Sequence, residues 1–470
     1  MKDVNGSIHA DYLIVGAGAT GMAFADSLIT ESNATIVMVD KHDAPGGHWN
    51  EAYPFLRLHG PSAFYGVNSQ ALGSEAVERS GYNAGFRERA SAAEIRDYYD
   101  QLMRKQFLPT GRLQYFPMSE YRGDGKFVSL VSGAEYQVHA RKTVDATFAA
   151  TEVPLTHTRK YDVDPAIACI PPNGLPAIAH DYASYVIIGS GKTGMDACVW
   201  LLDRNVPPER IRWIMPRDSW LLDRAQTQPG NEFLQKRVGS IALQMELVCK
   251  AESIAHLFKL LHEAGALLRL DDTVVPSAYR CAIVSRSEFD ALRQVKDVVR
   301  LGHVRRIDAR RIVLDHGSVP TSSDALHIDC TATGIQQWQP PRRVFDGDLI
   351  TLQMIRTCQP CFSAALIGHV EVAYADAAEK NRFCTPIPSP SRDVDWLRLQ
   401  LINLANQQAW SRDPALRTWI AACRLDFNRA NPYTLTADDQ ATMRRLRDSL
   451  APAAARLKEL LEQSQVPEPA

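Results

Sequence analysis

A glycine turn that occurs twice constrains the fold of this chain more than any other feature. The first copy reads DYLIVGAGATGMA from Asp11 to Ala23, and the second reads YVIIGSGKTGMDA from Tyr185 to Ala197. Each copy has an apolar strand, then glycines spaced as G-x-G-x-x-G, then a helix, which is typical of Rossmann dinucleotide-binding domains. The sequence therefore predicts an α/β fold with two Rossmann-like dinucleotide-binding domains.

The first turn has the features of an adenine dinucleotide site. Gly16 permits the tight turn, Gly18 lets a pyrophosphate approach the backbone, and Gly21 lets helix and strand pack closely. The helix that follows offers free N–H groups to the anion. Asp40 ends the next strand, where a carboxylate accepts hydrogen bonds from ribose and disfavours a 2′-phosphate. The cofactor-binding residues predicted here are Gly16, Gly18, Ala19, Thr20, Gly21, Asp40 and Lys41.

The second turn lacks an acidic residue at the matching place. The strand RIRWIMPR ends with Pro216 and Arg217, and a guanidinium binds phosphate oxygens with two parallel hydrogen bonds. We therefore expect NADPH at this turn, with Lys192 adding positive charge. Asp218 offers Arg217 an alternative, carboxylate partner. The cofactor-binding residues predicted here are Gly189, Ser190, Gly191, Lys192, Thr193, Gly194 and Arg217.

Two turns predict two dinucleotides, a bound flavin and the nicotinamide that reduces it. Hydride transfer needs reacting atoms roughly 3–3.5 Å apart. We therefore expect the two domains to face each other across one cleft.

The apolar segments divide the chain into four parts. We expect an FAD-binding domain, an NADPH-binding domain with a helical insertion at about 228–285, a return segment that covers the flavin, and a helical C-terminal region. In that order, the predicted ranges are 1–180, 181–335, 336–390 and 391–470. A proline-rich stretch that ends near residue 182 predicts the linker between the domains, and Ser91 with Glu94 predicts a capping box at a helix start.

Composition narrows the set of partners. The 52 basic and 54 acidic side chains give a net charge of −2, which argues against a nucleic-acid partner. No apolar run reaches the roughly 18 residues of a membrane span, so no membrane partner is expected. Nine scattered cysteines predict reduced thiols in the cytoplasm rather than a disulfide framework. Formation of a homo-oligomer is left open.

Gly46 to Trp49, GGHW, begin a second recognisable pattern. They are followed by Tyr53-Pro54, and the whole resembles the class B flavin monooxygenases: flavin-containing monooxygenases, N-hydroxylases and Baeyer–Villiger enzymes. The resemblance implies a fold like that of glutathione reductase, while short strands divided by glycine-containing turns and the helical spacing after residue 391 predict β-meanders and a helical C-terminal region. It also implies that Gly47, His48 and Trp49 lie beneath a flavin.

The resemblance implies an NADPH- and FAD-dependent monooxygenase. Such an enzyme inserts one oxygen atom of O2 into a small organic substrate through a flavin C4a-(hydro)peroxide. The catalytic candidates are His59, Asn68 and Arg280. His59 stands where Baeyer–Villiger enzymes carry an aspartate, and an imidazole can donate to or accept from a peroxide oxygen. The Baeyer–Villiger fingerprint is absent before the second turn, and an amine, a sulfide or a ketone all suit the pattern.

Two other classes of function remain. An NADPH-dependent flavoprotein reductase could pass electrons to a partner or to Cys358 and Cys361, which form a C-x-x-C motif. Buried structural thiols are the other interpretation of this pair. A non-catalytic dinucleotide-binding regulator is the third class.

Overall fold

The computed structural model describes residues 7–149, 151–334 and 340–464. The strands are β1 (Ser7–Val15), β2 (Ile36–Val39), β3 (Leu113–Phe116), β4 (Ser119–Gly123), β5 (Lys126–Ser129), β6 (Glu135–Asp145), β7 (Asp162–Val163), β8 (Cys169–Ile170), β9 (Ser184–Ile188), β10 (Ile211–Ile214), β11 (Ser219–Asp223), β12 (Ala278–Val284), β13 (Asp297–Val299), β14 (Val304–Ile307), β15 (Arg311–Leu314), β16 (Gly317–Pro320), β17 (Ala325–Asp329), β18 (Phe345–Asp346) and β19 (Leu349–Thr351).

The α-helices are α1 (Ala19–Glu31), α2 (Ala92–Leu102), α3 (Lys192–Asp203), α4 (Leu234–Lys250), α5 (Ile254–Glu263), α6 (Arg286–Leu292), α7 (Pro360–Ala373), α8 (Ala377–Phe383), α9 (Asp395–Arg412), α10 (Pro414–Ala422) and α11 (Ala437–Gln463). Within the described ranges, no helix combines the length and apolar character needed to cross a membrane.

The first sheet is built around β1. Its path is β18-β19-β6-β1-β2-β3, with β4 and β5 joined at β6 as an antiparallel meander. β1 pairs in parallel with β2 and β6, and its apolar residues are buried because helices cover the sheet. α1 packs against α7, and Phe24, Phe362 and Leu366 are fully buried in the core that they share with the sheet.

The second sheet repeats this plan with the order β13-β10-β9-β17-β8. Every strand pair in it is parallel. β9 is the strand before the second glycine turn, and α3 follows that turn. The prediction of two Rossmann-like domains in an α/β fold is confirmed. So is the capping box, since Ser91 and Glu94 bond each other's backbone N–H groups at the start of α2.

The segment before residue 182 differs from the expectation of a linker. β7 pairs with β14, and β8 pairs with β17, so this segment adds strands to sheets of the second domain. The domain boundary at residue 180 stays a prediction. Two-residue strands inside a proline-rich stretch leave no alternating pattern in the sequence, and only the exposed edges of the neighbouring sheets order them.

The return segment and the helices complete the molecule. β19 pairs in parallel with β6, which brings residues 349–351 back to the first sheet. α4, α5, α9 and α11 pack together around a third apolar core, in which Trp220 stacks on Phe258 with ring centroids 5.3 Å apart. α4, α9 and α11 also form one side of the large cavity described next.

Candidate functional site

Both glycine turns open into one cavity of about 1820 Å³. Pockets for a single small molecule are roughly 300–1,000 Å³, so this cavity has room for more than one. Its wall includes residues from both sheets, from the GGHW segment and from the C-terminal helices. The structure thus brings together the two turns that the sequence predicts to hold dinucleotides.

The first turn forms a cradle that only glycine allows. A Cβ on Gly21 would lie 2.0 Å from the carbonyl oxygen of Gly16, so α1 can approach the turn only without a side chain there. Gly18 is the N-cap of α1 and no side chain caps the helix. The first N–H groups of α1 are therefore free to bind an anion.

Asp40 holds the first turn in shape. One carboxylate oxygen accepts a 2.5 Å hydrogen bond from the backbone N–H of Ala17, and the other accepts bonds of 2.8 Å and 2.7 Å from the backbone and ring of His42. Asp40 and the exposed Lys41 both line the cavity. The carboxylate thus lies where the sequence predicts a ribose partner, and it also fixes the glycine turn.

The GGHW segment lies directly against this cradle. Gly46 donates its N–H to the carbonyl oxygen of Ala17 at 2.8 Å. A Cβ on Gly47, which has a φ of +57°, would lie 3.0 Å from the Cα of Gly18. Two glycine-containing loops therefore come close together at the entrance to α1, where bulkier residues would separate them.

The second turn repeats the geometry of the first. A Cβ on Gly194 would lie 2.2 Å from the carbonyl oxygen of Gly189, whereas one on Gly191 would meet nothing within 4 Å. Gly191 is the N-cap of α3, again without a side-chain cap. Ser190 and Thr193 line the cavity beside it. This turn also offers free helix N–H groups to an anion.

Arg217 and Arg280 form a positive patch on the cavity wall. Partial desolvation and the charge of Arg217 both lower the pKa of Arg280. Asp218 does not pair with Arg217, because it binds Arg300 through two hydrogen bonds of 2.8 Å and 3.0 Å. Within the described residues, Arg217 is hydrogen-bonded to Ser391 at 3.4 Å and has no carboxylate partner. The patch is suited to a phosphate.

Lys192 differs from the expectation of a free charge beside the phosphates. Its ammonium group forms an ion pair with Asp196, one turn along α3. Asp196 also accepts a 2.7 Å hydrogen bond from the Tyr53 hydroxyl. The first residue of α3 is thus held towards the Tyr53-Pro54 segment, and its ammonium group is engaged there by a carboxylate.

Trp49 forms an aromatic wall with its neighbours. Its indole N–H donates to the Tyr65 hydroxyl at 2.6 Å, and the two rings meet edge to face. Trp49 is 6% exposed. His48 packs at 5.2 Å from Trp49, and burial lowers the pKa of His48 to about 4. These rings give the cavity an uncharged, rigid surface next to the first cradle.

His59 lies on the wall of the cavity that both turns also line. Burial, together with the charges of Lys192, Arg224 and Arg89, lowers the pKa of His59 from 6.5 to about 3. The imidazole is therefore neutral at pH 7, and each ring nitrogen is available either to donate or to accept a hydrogen bond.

Arg224 and Glu288 hold His59 in place, although the sequence did not single them out. The fully buried Arg224 donates a 3.1 Å hydrogen bond to the His59 carbonyl oxygen and pairs with Glu288 at 2.5 Å. Arg89 pairs with the same carboxylate at 3.3 Å. The charges of Lys192, Arg224 and Arg89 lower the pKa of Glu288 to about 2 despite its burial. The one feature of the sequence that could have pointed to Glu288 is its capping box with Ser285.

A first prediction follows from the lowered pKa of His59. We expect its ring nitrogens to keep neutral-imidazole NMR shifts down to about pH 4, because burial and, to a lesser degree, nearby cations oppose protonation. Since the folded state binds this proton less readily than the unfolded chain, His59 lowers stability as the pH falls below about 6.5. A His59→Gln spectrum assigns the signals. A His59 ring that becomes protonated near pH 6.5 would contradict the prediction.

Asn68 is not among the residues that line the cavity. Its side-chain oxygen accepts a 3.1 Å hydrogen bond from the backbone N–H of Arg424. The Arg424 guanidinium binds three carbonyl oxygens of residues 63–67. The structure therefore places Asn68 in a contact with the C-terminal region, while His59 and Arg280 lie on the cavity wall.

The cysteine pairing differs from both expectations drawn from the sequence. Cys358 forms a disulfide with Cys281, and the other seven cysteines, including Cys361, are unpaired. Cys361 is 1% exposed and burial raises the pKa of its thiol to about 11. The C-x-x-C motif is thus not a bonded pair, because its second cysteine points into the core of the first domain.

Comparison with known proteins extends these findings. The family described as "NAD(P)-binding Rossmann-like domain" matches residues 14–72, a segment that contains the first glycine turn and the GGHW segment. Uncharacterized proteins of Mycobacterium tuberculosis and Mycobacterium bovis are 52% identical over 422 residues, which cover 90% of this chain and 78% of theirs.

Several solved structures are also similar. A cyclohexanone monooxygenase from Rhodococcus sp. Phi1, bound to NADP+, has 15% identity and a TM-score of 0.48, covering 78% of this chain and 85% of that one. A flavin monooxygenase mutant from Stenotrophomonas maltophilia has 14% identity and a TM-score of 0.46, covering 80% of this chain and 100% of that one.

Proposed function

The chain belongs to one family with the uncharacterized mycobacterial proteins, and we propose that it is an FAD- and NADPH-dependent monooxygenase. It inserts one oxygen atom of O2 into a small organic substrate. The observation that carries the proposal is that two uncapped helix N-termini, each behind a glycine turn, open into one cavity.

The residues present suit the two cofactors. The first cradle offers free N–H groups, Asp40 for ribose hydroxyls, and the Trp49–Tyr65 wall for a flat ring. The second cradle offers free N–H groups and the Arg217–Arg280 patch. This patch suits NADPH, which has a 2′-phosphate, rather than NADH, which has none. We therefore assign FAD to the first turn and NADPH to the second.

The chemistry divides between cofactor and protein. A bound flavin supplies the redox step, taking hydride from NADPH and activating O2. The chain binds and orients the two cofactors and limits the access of water. His59, held neutral, offers a hydrogen bond to a reacting oxygen without bringing a charge.

The substrate side of the cavity disfavours a cation, because its helices contribute one positive lining residue, the buried Arg237, and no negative one. Helices α4, α9 and α11 line it, and their lining residues include no carboxylate. Apolar side chains alternate there with carboxamides that can bind a carbonyl or hydroxyl group. The carboxamides on this side are Gln244, Gln400, Asn403 and Gln407.

The extents of the FAD-binding and NADPH-binding domains are part of the same proposal. The FAD-binding domain consists of the first sheet with the return segment, and the NADPH-binding domain begins near β7 rather than at residue 181. The cytoplasm stays our prediction for location, since seven of the nine cysteines are unpaired.

The test uses the full chain loaded with FAD. We expect NADPH to bleach the flavin and O2 to restore its colour, because both steps belong to a monooxygenase cycle. With a ketone, a sulfide and an amine offered under ¹⁸O₂, we expect one labelled oxygen in the product of at least one class, measured by mass spectrometry.

Other outcomes identify the other classes of function. A flavin that NADPH bleaches but O2 does not reoxidise contradicts the monooxygenase and indicates a reductase. A folded chain that binds neither dinucleotide indicates a regulator. Chain heated to unfolding before the assay controls for free flavin in solution.

A further inference from the structure

We propose that the Cys281–Cys358 disulfide is redox-active and accepts two electrons from a flavin in the same cavity. The inference goes beyond the proposed function and rests on its assignment of FAD to the first turn. The disulfide joins residues 77 positions apart, with Cα atoms 6.6 Å apart. Both cysteines line the cavity into which the glycine turns open.

The two cysteines connect the two halves of the site. Cys281 lies in β12, one residue after Arg280 of the phosphate-binding patch. Cys358 lies two residues before α7, the helix that packs against α1 behind the first cradle. The disulfide therefore lies between the elements assigned to NADPH and the elements assigned to FAD.

The backbone turns both side chains towards the cavity. The pairing of β11 with β12 is regular up to Trp220 and Tyr279, then shifts register before Leu222 and Ile283, and Cys281 lies within this bulge. A bulge redirects a side chain and is common beside active sites. Cys281 and Cys358 have φ of +53° and +56°, a conformation that non-glycine residues adopt rarely and that clusters at functional sites.

The exposure of Cys358 separates it from its partner and from the five buried unpaired cysteines. Cys358 is exposed at the cavity, whereas Cys281 is 8% exposed. Cys358 is therefore the sulfur that a thiolate could attack in disulfide exchange. Arg280 and the start of α7 place positive charge near the pair, which favours a thiolate after reduction. Cys198, Cys330 and Cys361 are buried, and burial raises their pKa values.

Electrons and protons balance when the reduced flavin reduces the disulfide. The reduced flavin loses two electrons and two protons, the bond between the two sulfurs breaks, and each sulfur gains one electron and one proton. NADPH then reduces the flavin again. The product is a dithiol that can reduce a further disulfide by exchange, so the protein would have a thiol-reducing activity beside the oxygen-dependent one.

An anaerobic dithionite titration of the FAD-loaded full chain tests the proposal. We expect about four electrons per flavin, because flavin and disulfide are each two-electron couples. Cys358→Ser and Cys281→Ser should each lower the count to about two. Cys361→Ser is the matched control and should leave it at about four. Alkylation and mass spectrometry of the wild-type chain give a readout that needs no variant, with both thiols labelled only after reduction.

The outcomes separate this proposal from the proposed function. If the flavin takes up two electrons and the disulfide stays closed to alkylation, the redox role is wrong, while reduction of the flavin by NADPH still supports the monooxygenase. If NADPH leaves the flavin oxidised, the proposed function fails, and the dithionite titration still decides whether flavin electrons reach the disulfide. A fall to two electrons in Cys361→Ser would assign the second couple to other cysteines and overturn the proposal.

Discussion

Replacing Arg217 with alanine is expected to weaken NADPH binding by about 1.5–3 kcal/mol, the range for one charge-assisted hydrogen-bonded pair. The affinity for NADH should change little, because NADH has no 2′-phosphate. Arg217 is available to a phosphate because Asp218 binds Arg300, which leaves Arg217 without a carboxylate partner among the described residues. Dissociation constants for both nucleotides, measured by fluorescence titration, check the prediction.

The control variant removes a positive charge from an arginine that lies away from the cavity. Arg293 pairs with Asp272 on the surface, where both side chains are well exposed, and it does not line the cavity. Arg293→Ala should leave both affinities unchanged. Equal losses for NADPH and NADH in Arg217→Ala would show that Arg217 does not read the 2′-phosphate, and Arg280 would then be the candidate.

Replacing Gly194 with alanine is expected to destabilise the second domain by about 3 kcal/mol, the upper part of the usual range for overpacking. The new Cβ would lie 2.2 Å from the Gly189 carbonyl oxygen, and α3 must move away from the turn to relieve the clash. The free energy of unfolding, measured in urea, reports the loss. NADPH binding should fall with it, because the helix N–H groups move with α3.

Gly191→Ala is the matched variant, because it changes the same turn without a clash. Gly191 has φ −76° and ψ 179°, which alanine adopts freely, and its Cβ would meet nothing within 4 Å. Stability should therefore change by less than about 1 kcal/mol. NADPH should still bind about tenfold more weakly, since the added methyl group occupies the space where a pyrophosphate approaches. If Gly194→Ala and Gly191→Ala had the same stability and bound NADPH equally well, the different roles assigned to the two glycines would be wrong.

The glycine turns were predictable because their requirements are local. Gly21 and Gly194 meet the carbonyl oxygens of Gly16 and Gly189, five residues earlier in each case, so the motif and its cause lie in one short segment. The same is true of the Ser91–Glu94 capping box. The strands of 162–170 were not predictable, because their order comes from partners near residues 306 and 327.

The sequence by itself determined the two nucleotide cradles and the α/β class, since strand, turn and helix form from residues adjacent in the chain. The tertiary structure alone decided which side chains meet across the cavity. Asp218 binds Arg300, Cys358 bonds to Cys281, and Asn68 contacts Arg424. These partners are 82, 77 and 356 residues apart. No local pattern in the sequence encodes contacts between residues so far apart in the chain, because the packing of whole sheets and helices determines which residues meet.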